Sequence, residues 1–299
     1  MVEFIEVLKA FVLGIVEGIT EWLPISSTGH MILVDEFIKL NVRDEFLDLF
    51  LVVIQLGAIL AVVILFWNKL WPFHKKSTQV TPFFEENGKH NGAKRFCNNY
   101  IYIDKILLWV KILIASIPAA IVGLAFDKQI DQMLTGDMRA YVVAAALIVY
   151  GVLFIIIESI KKRETVTDLD KMPYKKAFYI DLIQCLSLVP DTSRSGSTIL
   201  GATLLGTSRT VAAEFSFFLG IPAMFGASAI KLIKFFADGL MFTSAELIIL
   251  AVGCIVSFVV SIFAIKFLVS YVKKHDFKAF GIYRIILGIV VILYFALTE

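Results

Sequence analysis

The sequence predicts an all-α polytopic membrane protein built as an inverted-topology repeat, in which each half is one re-entrant helix hairpin followed by three transmembrane helices. Composition is the first observation behind this prediction. Of the 299 residues, 59% are apolar and 18% are charged, and the mean hydropathy is +0.83. Soluble domains contain about 45–50% apolar and about 25% charged residues. Lipid must therefore cover much of this chain, and a disordered or collagen-like chain is excluded.

Charge and cysteine content exclude several further classes. The formal net charge is +2, and the basic residues do not gather on one folded domain, so we expect no nucleic-acid partner. Cys97, Cys185 and Cys254 are far apart, which fits neither a disulfide framework nor a metal-ligand spacing. Glu3 and Glu6 have the wrong sign for the positive start of a cleavable signal peptide. The chain is expected to insert through its own helices.

The second observation is a set of six apolar stretches that are long enough to cross the hydrocarbon core, which takes about 20 residues. They are 46–68, 104–126, 139–160, 208–236, 246–272 and 279–298. The loops at 69–95, 161–176 and 273–278 are rich in Lys and Arg, which predicts that they are cytoplasmic and that both termini lie outside. Basic residues toward the span ends, Arg284 among them, are expected to snorkel to the interface.

The third observation is a pair of shorter apolar stretches that stop at Pro24 and Pro190. Each is about 13 residues long, contains charged or amide side chains, and is followed by a Ser/Thr/Gly cluster and another short apolar piece. Such pieces are too short to cross a bilayer. They predict re-entrant hairpins at 10–40 and 177–206.

The two hairpins belong to an internal repeat. When the sequence is shifted by 167 residues, the distance from Ser26 to Ser193, the Ser-Ser-Thr-Gly of the first break falls on the Ser-Arg-Ser-Gly of the second. Three spans follow each hairpin, so the second half starts on the opposite face, and the broken helices meet near the midplane. The predicted repeats are 1–160 and 161–299 within one integrated membrane domain. Chance recurrence of small polar residues is the alternative, but hydropathy, loop charge and break position together favour the repeat.

Two acidic residues precede the first break. Glu17 and Glu21 share a helical face, where like charges destabilise a helix and each ionised carboxylate in hydrocarbon costs about 2.5–3.5 kcal/mol. A divalent cation held by these carboxylates and by substrate phosphates would offset that cost. The alternative is a protonated Glu that bonds to a neighbouring helix.

The first break itself carries hydroxyl groups and a histidine. Ser27 or Thr28 is expected to cap the next helix, whose free amides suit an anion such as phosphate. Ser26 supplies a further hydroxyl group. Because His30 lies one turn from Ser27, the pair has the arrangement of a nucleophile with a proton partner. Ordinary capping and a structural hydrogen bond are the alternatives.

The second break carries Arg194 at depth in the bilayer, where a guanidinium is costly unless it meets an anion. Its planar fork matches a phosphate group. Ser193, Ser195 and Thr198 would supply more donors. An ion pair with Glu17 or Glu21 is the alternative, and it is compatible with the same function.

Both breaks resemble the signatures of a known family. Residues 17–30 (EGITEWLPISSTGH) and 190–196 (PDTSRSG) resemble the two signatures of the undecaprenyl-diphosphatase family, the bacitracin-resistance phosphatases of bacterial inner membranes. Residues 52–57 and 213–222 resemble it as well. The resemblance implies removal of the terminal phosphate of a C55 polyprenyl diphosphate, a membrane lipid that carries cell-wall precursors. It also implies a divalent cation, Mg²⁺ or Ca²⁺, and a site that opens to the periplasmic or outer face.

The resemblance also implies roles for individual residues. Glu17 and Glu21 would bind the metal or position water, Ser27 would be the nucleophile, His30 the acid/base and Arg194 the phosphate clamp. Two departures from the family pattern concern other positions. Asp191 stands where the family has Gly, and Leu51 stands where it has an acidic residue. Whether Asp191 weakens phosphate binding or adds a metal ligand stays open, as does the choice between a phospho-enzyme and direct attack by water.

The rival prediction is an inverted-repeat transporter or a polyprenyl-phosphate flippase, because transporters use the same architecture. The Ser27/His30 pair favours the enzyme, since transport does not need it. Acid-phosphatase-like lipid phosphatases are disfavoured because the chain has no matching basic motif or second His motif. A monomer and a homodimer are both compatible with the sequence.

Overall fold

A computed structural model describes residues 4–73, 100–126, 139–160, 163–188 and 192–298 of the chain. These residues fold mainly into helices. They are α1 (Phe4–Thr20), α2 (Ser27–Phe37), α3 (Asp44–Leu65), α4 (Trp67–Leu70), α5 (Ile103–Ala115), α6 (Ile117–Ala125), α7 (Arg139–Ser159), α8 (Tyr174–Gln184), α9 (Arg194–Leu204), α10 (Arg209–Ala237), α11 (Ser244–Val272) and α12 (Lys278–Thr298). A 3₁₀ turn, Cys185–Leu188, extends α8.

Six helical segments are long and apolar enough to cross a membrane. They are Asp44–Leu65, Ile103–Ala125, Ala140–Ser159, Arg209–Ala237, Ser244–Val272 and Lys278–Leu297. These six helical segments correspond to the six predicted spans with bounds shifted by a few residues, and the chain is a multi-pass membrane protein. Residues 74–95 of the basic loop, together with Cys97, Pro190 and Asp191, lie outside the described residues.

The second span differs from the continuous helix that its apolar run predicts. It divides at Ser116 into α5 and α6, with Pro118 in the first turn of α6. Proline has no amide hydrogen and cannot continue the bonding ladder of a helix. The buried Asp181 of α8 accepts a hydrogen bond from the backbone nitrogen of Ala119 at 2.9 Å. A carboxylate from a neighbouring helix thus satisfies an amide that the division frees.

Small residues let α1 pack directly against the backbone of α11. A Cβ atom at Gly14 would lie 2.8 Å from the carbonyl oxygen of Gly253, and one at Gly18 would lie 2.8 Å from that of Ser257. Such contact between small residues is a common way for helices to associate in lipid. The contact fixes α1, and therefore the acidic residue Glu17, relative to the rest of the helices.

Helices α7 and α12 cross in equally close contact. A Cβ atom at Gly151 would lie 2.6 Å from the carbonyl oxygen of Gly281, and the reciprocal distance is 2.7 Å. The crossing brings the next residues of α12 toward the two breaks. Arg284 is consequently 0% exposed, so the expectation that it snorkels to the interface is wrong. Arg284 can be buried because backbone carbonyl oxygens of the two breaks accept its hydrogen bonds inside the protein.

Candidate active site

The two breaks have the same backbone geometry at equivalent positions. Ser26 and Ser193 have φ angles of 75° and 60°, and they are the positive-φ non-glycine residues among those described. The Ser26 Oγ accepts from the Gly29 nitrogen at 3.4 Å, and the Ser193 Oγ accepts from the Gly196 nitrogen at 3.1 Å. The first cap is therefore Ser26, which precedes both of the predicted caps, Ser27 and Thr28. A left-handed conformation is costly for a side chain of this kind and is often found at functional sites.

Glu21 is where the two breaks meet. It lies in the turn after α1 and is 8% exposed. The Ser27 hydroxyl donates to Glu21 Oε2 at 2.9 Å, and Arg194 Nη2 donates to Glu21 Oε1 at 3.0 Å. The carboxylate of Glu21 thus joins Ser27 of the first break to Arg194 of the second.

The guanidinium of Arg194 is held by residues that sequence reasoning missed. Its Nη1 donates to the carbonyl oxygen of Ser216 at 2.7 Å, and its Cζ lies 5.8 Å from the centre of the Trp22 ring. Gly220 leaves room for it, because a Cβ atom there would lie 2.9 Å from Nη1. The family resemblance of residues 213–222 was a signal for Ser216 and Gly220, although it gave no role to individual residues.

One donor of Arg194 is still available. The Nε atom is buried and has no hydrogen-bond partner among the described residues. A buried polar group without a partner usually marks a bound group or a functional site. The fork of Nε and Nη2 suits the oxygens of a phosphate group, provided that Glu21 releases Nη2.

Glu17 completes the acidic part of the site. It is 1% exposed, it lies one helical turn before Glu21, and its Oε1 atom has no partner among the described residues. The described residues contain no group of three or more His, Cys, Asp or Glu that would enclose a metal ion by themselves. Two carboxylates nevertheless fit a Mg²⁺ ion whose other ligands are water and substrate phosphates, which is the usual arrangement for this ion. They fit Ca²⁺ only if more oxygen ligands are supplied in the same way.

His30 bonds to partners other than Ser27. Its Nδ1 lies 2.6 Å from the carbonyl oxygen of Ser26, and its Nε2 lies 2.7 Å from the hydroxyl of Tyr283. The His30 and Tyr283 rings are stacked, with centroids 5.6 Å apart. Since both ring nitrogens are occupied, the hydrogen-bond partner of Ser27 in this structure is Glu21. The predicted role of His30 as acid/base stays a prediction, without a direct contact to support it.

The predicted donors of the second break are largely used inside the protein. Thr198 is fully buried, and its hydroxyl bonds to the Arg194 and Ser195 carbonyl oxygens and to the Ser216 hydroxyl. The Ser195 hydroxyl lies 3.2 Å from that of Ser193 and 3.4 Å from the carbonyl oxygen of Leu23. Thr198 therefore ties α9 to α10. The side chain of Thr28 lies outside the described part of the structure.

Arg284 bridges the breaks from a third direction. It donates from Nη1 to the carbonyl oxygen of Pro24 and from Nη2 to that of Thr192, each at 3.4 Å. Its Cζ lies 5.3 Å from the centre of the Tyr150 ring, and a Cβ atom at Gly196 would lie 2.7 Å from its Nη1. The signal that could have found it was an arginine within a spanning segment, which indicates a functional site by default.

The chain is similar to known proteins over nearly its whole length. The sequence model described as bacitracin resistance protein BacA matches residues 10–290, which include both breaks. An undecaprenyl-diphosphatase of Acetivibrio thermocellus is 54% identical over 293 residues, or 97% of this chain and 98% of that protein. One of Enterococcus faecalis is 54% identical with the same coverage. One of Limosilactobacillus fermentum is 55% identical over 295 residues, 98% of this chain and 99% of that protein.

Proposed function

The chain belongs to the bacitracin resistance protein BacA family, and from this premise we propose that it hydrolyses undecaprenyl diphosphate to undecaprenyl phosphate and inorganic phosphate. The reaction returns the C55 lipid to its role as carrier in cell-wall synthesis. The observation that carries the proposal is the contact of Glu21 with both Ser27 and Arg194. A nucleophile, a proton acceptor and a cation that fits phosphate lie together at this point.

The geometry supports a two-step phosphoryl transfer. Ser27 Oγ gives its proton to Glu21 Oε2 and attacks the terminal phosphorus, so an Oγ–P bond forms as the bond to the bridging oxygen breaks. The bridging oxygen keeps the electron pair and leaves as part of undecaprenyl phosphate. Water then attacks the phosphorus of the phosphoserine, the Oγ–P bond breaks as Glu21 returns its proton to Oγ, and the protons of the water leave with the phosphate. Direct attack by water that Glu21 orients is the alternative, and it uses the same residues.

Arg194 has the clamping role in this proposal. Its Nη2 bonds to Glu21, while its Nε has no partner among the described residues. A phosphate oxygen would bind to Nε and compete with Glu21 for Nη2. This exchange would free Glu21 Oε1 while a guanidinium stabilises the charge that develops on the phosphate.

A divalent cation, Mg²⁺ or Ca²⁺, is part of the proposal. Glu17 and Glu21 are the residues that would hold it, and the buried Oε1 of Glu17 is the atom with an open position. When bound, the cation would neutralise the charge of the diphosphate oxygens. Glu17 would in addition be relieved of an unfavourable burial beside a second carboxyl group.

We also propose that the two halves are an inverted-topology repeat with re-entrant hairpins, α1–α2 and α8–α9, and that the site opens to the outer face of the inner membrane. Support comes from the matching backbone of Ser26 and Ser193 and from the positive charge of the predicted cytoplasmic loops. A site near the midplane would reach a diphosphate headgroup whose prenyl chain stays in lipid.

The test is phosphate release from undecaprenyl diphosphate by the purified protein in detergent, with and without a chelator. Ser27→Ala is the inactive variant, and Ser159→Ala is its control, because Ser159 bonds to the carbonyl oxygen of Ile155 far from the breaks. We expect release by the wild type and by Ser159→Ala, and none by Ser27→Ala. Lipid movement across vesicles without phosphate release would instead support the flippase.

A further inference from the structure

We propose that His30 is a positioning residue, which holds the strained residue Ser26 so that Ser27 faces Glu21, and that Tyr283 fixes the His30 ring in place by donating its hydroxyl to Nε2. The inference rests on the proposed phosphatase function and deepens it. It assigns a task to Tyr283, a residue of α12 that is 253 positions away from His30 in the sequence.

The first step is the assignment of hydrogens. The carbonyl oxygen of Ser26 can only accept, so the Nδ1 atom of His30, 2.6 Å away, must carry a hydrogen. In a neutral ring the Nε2 atom is then an acceptor, and the hydroxyl of Tyr283 donates to it at 2.7 Å. The carbonyl oxygen of Ser26 therefore selects the Nδ1–H tautomer of His30, and the hydroxyl of Tyr283 fixes the ring by donating to Nε2.

The second step is what the bond to Ser26 does. Ser26 has a φ angle of 75°, which is an unfavourable conformation that surrounding contacts must hold. The bond from His30 fixes its carbonyl group, and this fixes the peptide plane that leads to Ser27. Ser27 is the residue that follows this peptide plane, and its hydroxyl lies 2.9 Å from Glu21 Oε2. His30 thus acts on the nucleophile through the backbone.

The third step is a comparison with the second break. There the carbonyl oxygen of Ser193 accepts from the backbone nitrogen of Ser197 at 2.9 Å. Ser197 is the equivalent of His30 in the 167-residue register, and its hydroxyl has no partner among the described residues. The bond from the His30 ring to the Ser26 carbonyl oxygen is therefore found in the half that carries the nucleophile. This is expected if the bond contributes to catalysis and not to the fold that the two halves share.

Two substitutions of His30 separate positioning from proton transfer. The amide nitrogen of Asn in His30→Asn lies where Nδ1 lies and can donate to Ser26, whereas that of Gln in His30→Gln lies where Nε2 lies. We expect His30→Asn to keep kcat within about threefold of wild type and His30→Gln to lose about tenfold, the effect of one hydrogen bond. Equal loss in both variants, to the level of His30→Ala, would overturn the proposal in favour of acid/base catalysis.

Tyr283→Phe tests the bond between Tyr283 and His30 directly. It keeps the stacked ring and removes the hydroxyl, so we expect kcat to fall about tenfold with an unchanged KM. In ¹⁵N-histidine-labelled protein, NMR should show hydrogen on Nδ1 of His30 both in the wild type and in Tyr283→Phe, with the Nε2 resonance shifted in the variant because that atom loses its hydrogen bond. His30→Asn identifies the signal, because it removes only that ring.

The NMR result does not depend on turnover, so the two hypotheses can fail separately. A wild type that releases no phosphate but carries hydrogen on Nδ1 would refute the phosphatase function and leave the hydrogen-bond arrangement intact. A wild type that releases phosphate but carries hydrogen on Nε2 would overturn the positioning role. Wild-type kcat in Tyr283→Phe would overturn the role of Tyr283.

Discussion

Arg194 donates from Nη2 to the carboxylate of Glu21 at 3.0 Å, although 173 positions separate the two residues in the sequence. Both side chains are largely buried, with exposed fractions of 13% and 9%. Breaking a buried pair by removing one partner usually costs more than the pair contributes, because the other charge is left without compensation. The bond therefore joins the two halves of the protein at the point where substrate is expected, and a phosphate must compete for the guanidinium.

Arg194→Lys should reduce kcat/KM by well over tenfold. A lysine keeps the charge but offers one nitrogen, which cannot serve Ser216, Glu21 and a phosphate oxygen at once. The measurement is phosphate release from undecaprenyl diphosphate at saturating and limiting substrate. Arg209→Lys is the control, because Arg209 makes a comparable pair with Glu158 away from the breaks. Near-full activity of Arg194→Lys would mean that the clamp is another residue.

Gly220→Ala should lower activity by about tenfold while leaving the protein folded. The new Cβ atom would lie 2.9–3.0 Å from three atoms of the Arg194 guanidinium, which would have to move away from its position beside Glu21. Gly226→Ala is a matched control on the same helix, because nothing lies within 4 Å of a Cβ atom there.

Activity and thermal stability should be measured together for the two glycine variants. We expect Gly226→Ala to behave like wild type in both measurements, and Gly220→Ala to differ mainly in activity. Equal activity of the two variants would show that a Cβ atom at position 220 of α10 does not disturb the function of Arg194.

The spans and breaks could be predicted because their signals are local. A run of apolar residues identifies a span wherever it packs, and a proline followed by hydroxyl residues identifies an interruption. The exact residues at which the helices begin and divide could not be predicted, because neighbouring positions differ little in how well they suit a helix end. Ser26 rather than Ser27 is the cap, and the second span divides at Ser116 although its apolar run continues.

The missed site residues depend on how distant helices cross. Tyr283 and Arg284 reach the first break because α12 contacts α7 backbone to backbone at Gly151 and Gly281. Contacts such as those of Tyr283 and Arg284 cannot be predicted from the spacing of residues within one segment of the sequence. His30 illustrates the same limit, since spacing alone favoured Ser27 as its partner and the fold supplies Tyr283.

The proposed topology predicts different accessibility for cysteines introduced at Ser77 and Thr298. In a background without the native cysteines, an impermeant reagent applied to intact cells should label Thr298→Cys and leave Ser77→Cys unlabelled, because positive loops stay in the cytoplasm. Both should be labelled in permeabilised cells, which controls for reactivity. Equal labelling of both in intact cells would argue against the inverted repeat.

Substitutions of the two adjacent serines should have opposite outcomes. Ser27→Ala removes the hydroxyl that contacts Glu21, so it should abolish turnover while the protein still inserts and binds substrate through Arg194 and the helix amides. Ser26→Gly should be tolerated, because glycine adopts a φ of 75° without strain and replaces a capping serine at a cost of only a few tenths of a kcal/mol.

The decisive measurements are kcat and the affinity for undecaprenyl diphosphate, each determined for both serine variants. Loss of turnover in Ser26→Gly with full turnover in Ser27→Ala would make Ser26 the nucleophile. If both variants keep most of their rate, no serine attacks the phosphorus, and water activated by a cation at Glu17 and Glu21 becomes the better mechanism. In that case Glu21→Gln should still be inactive, because both mechanisms require its carboxylate, whereas Ser27 would only orient the water.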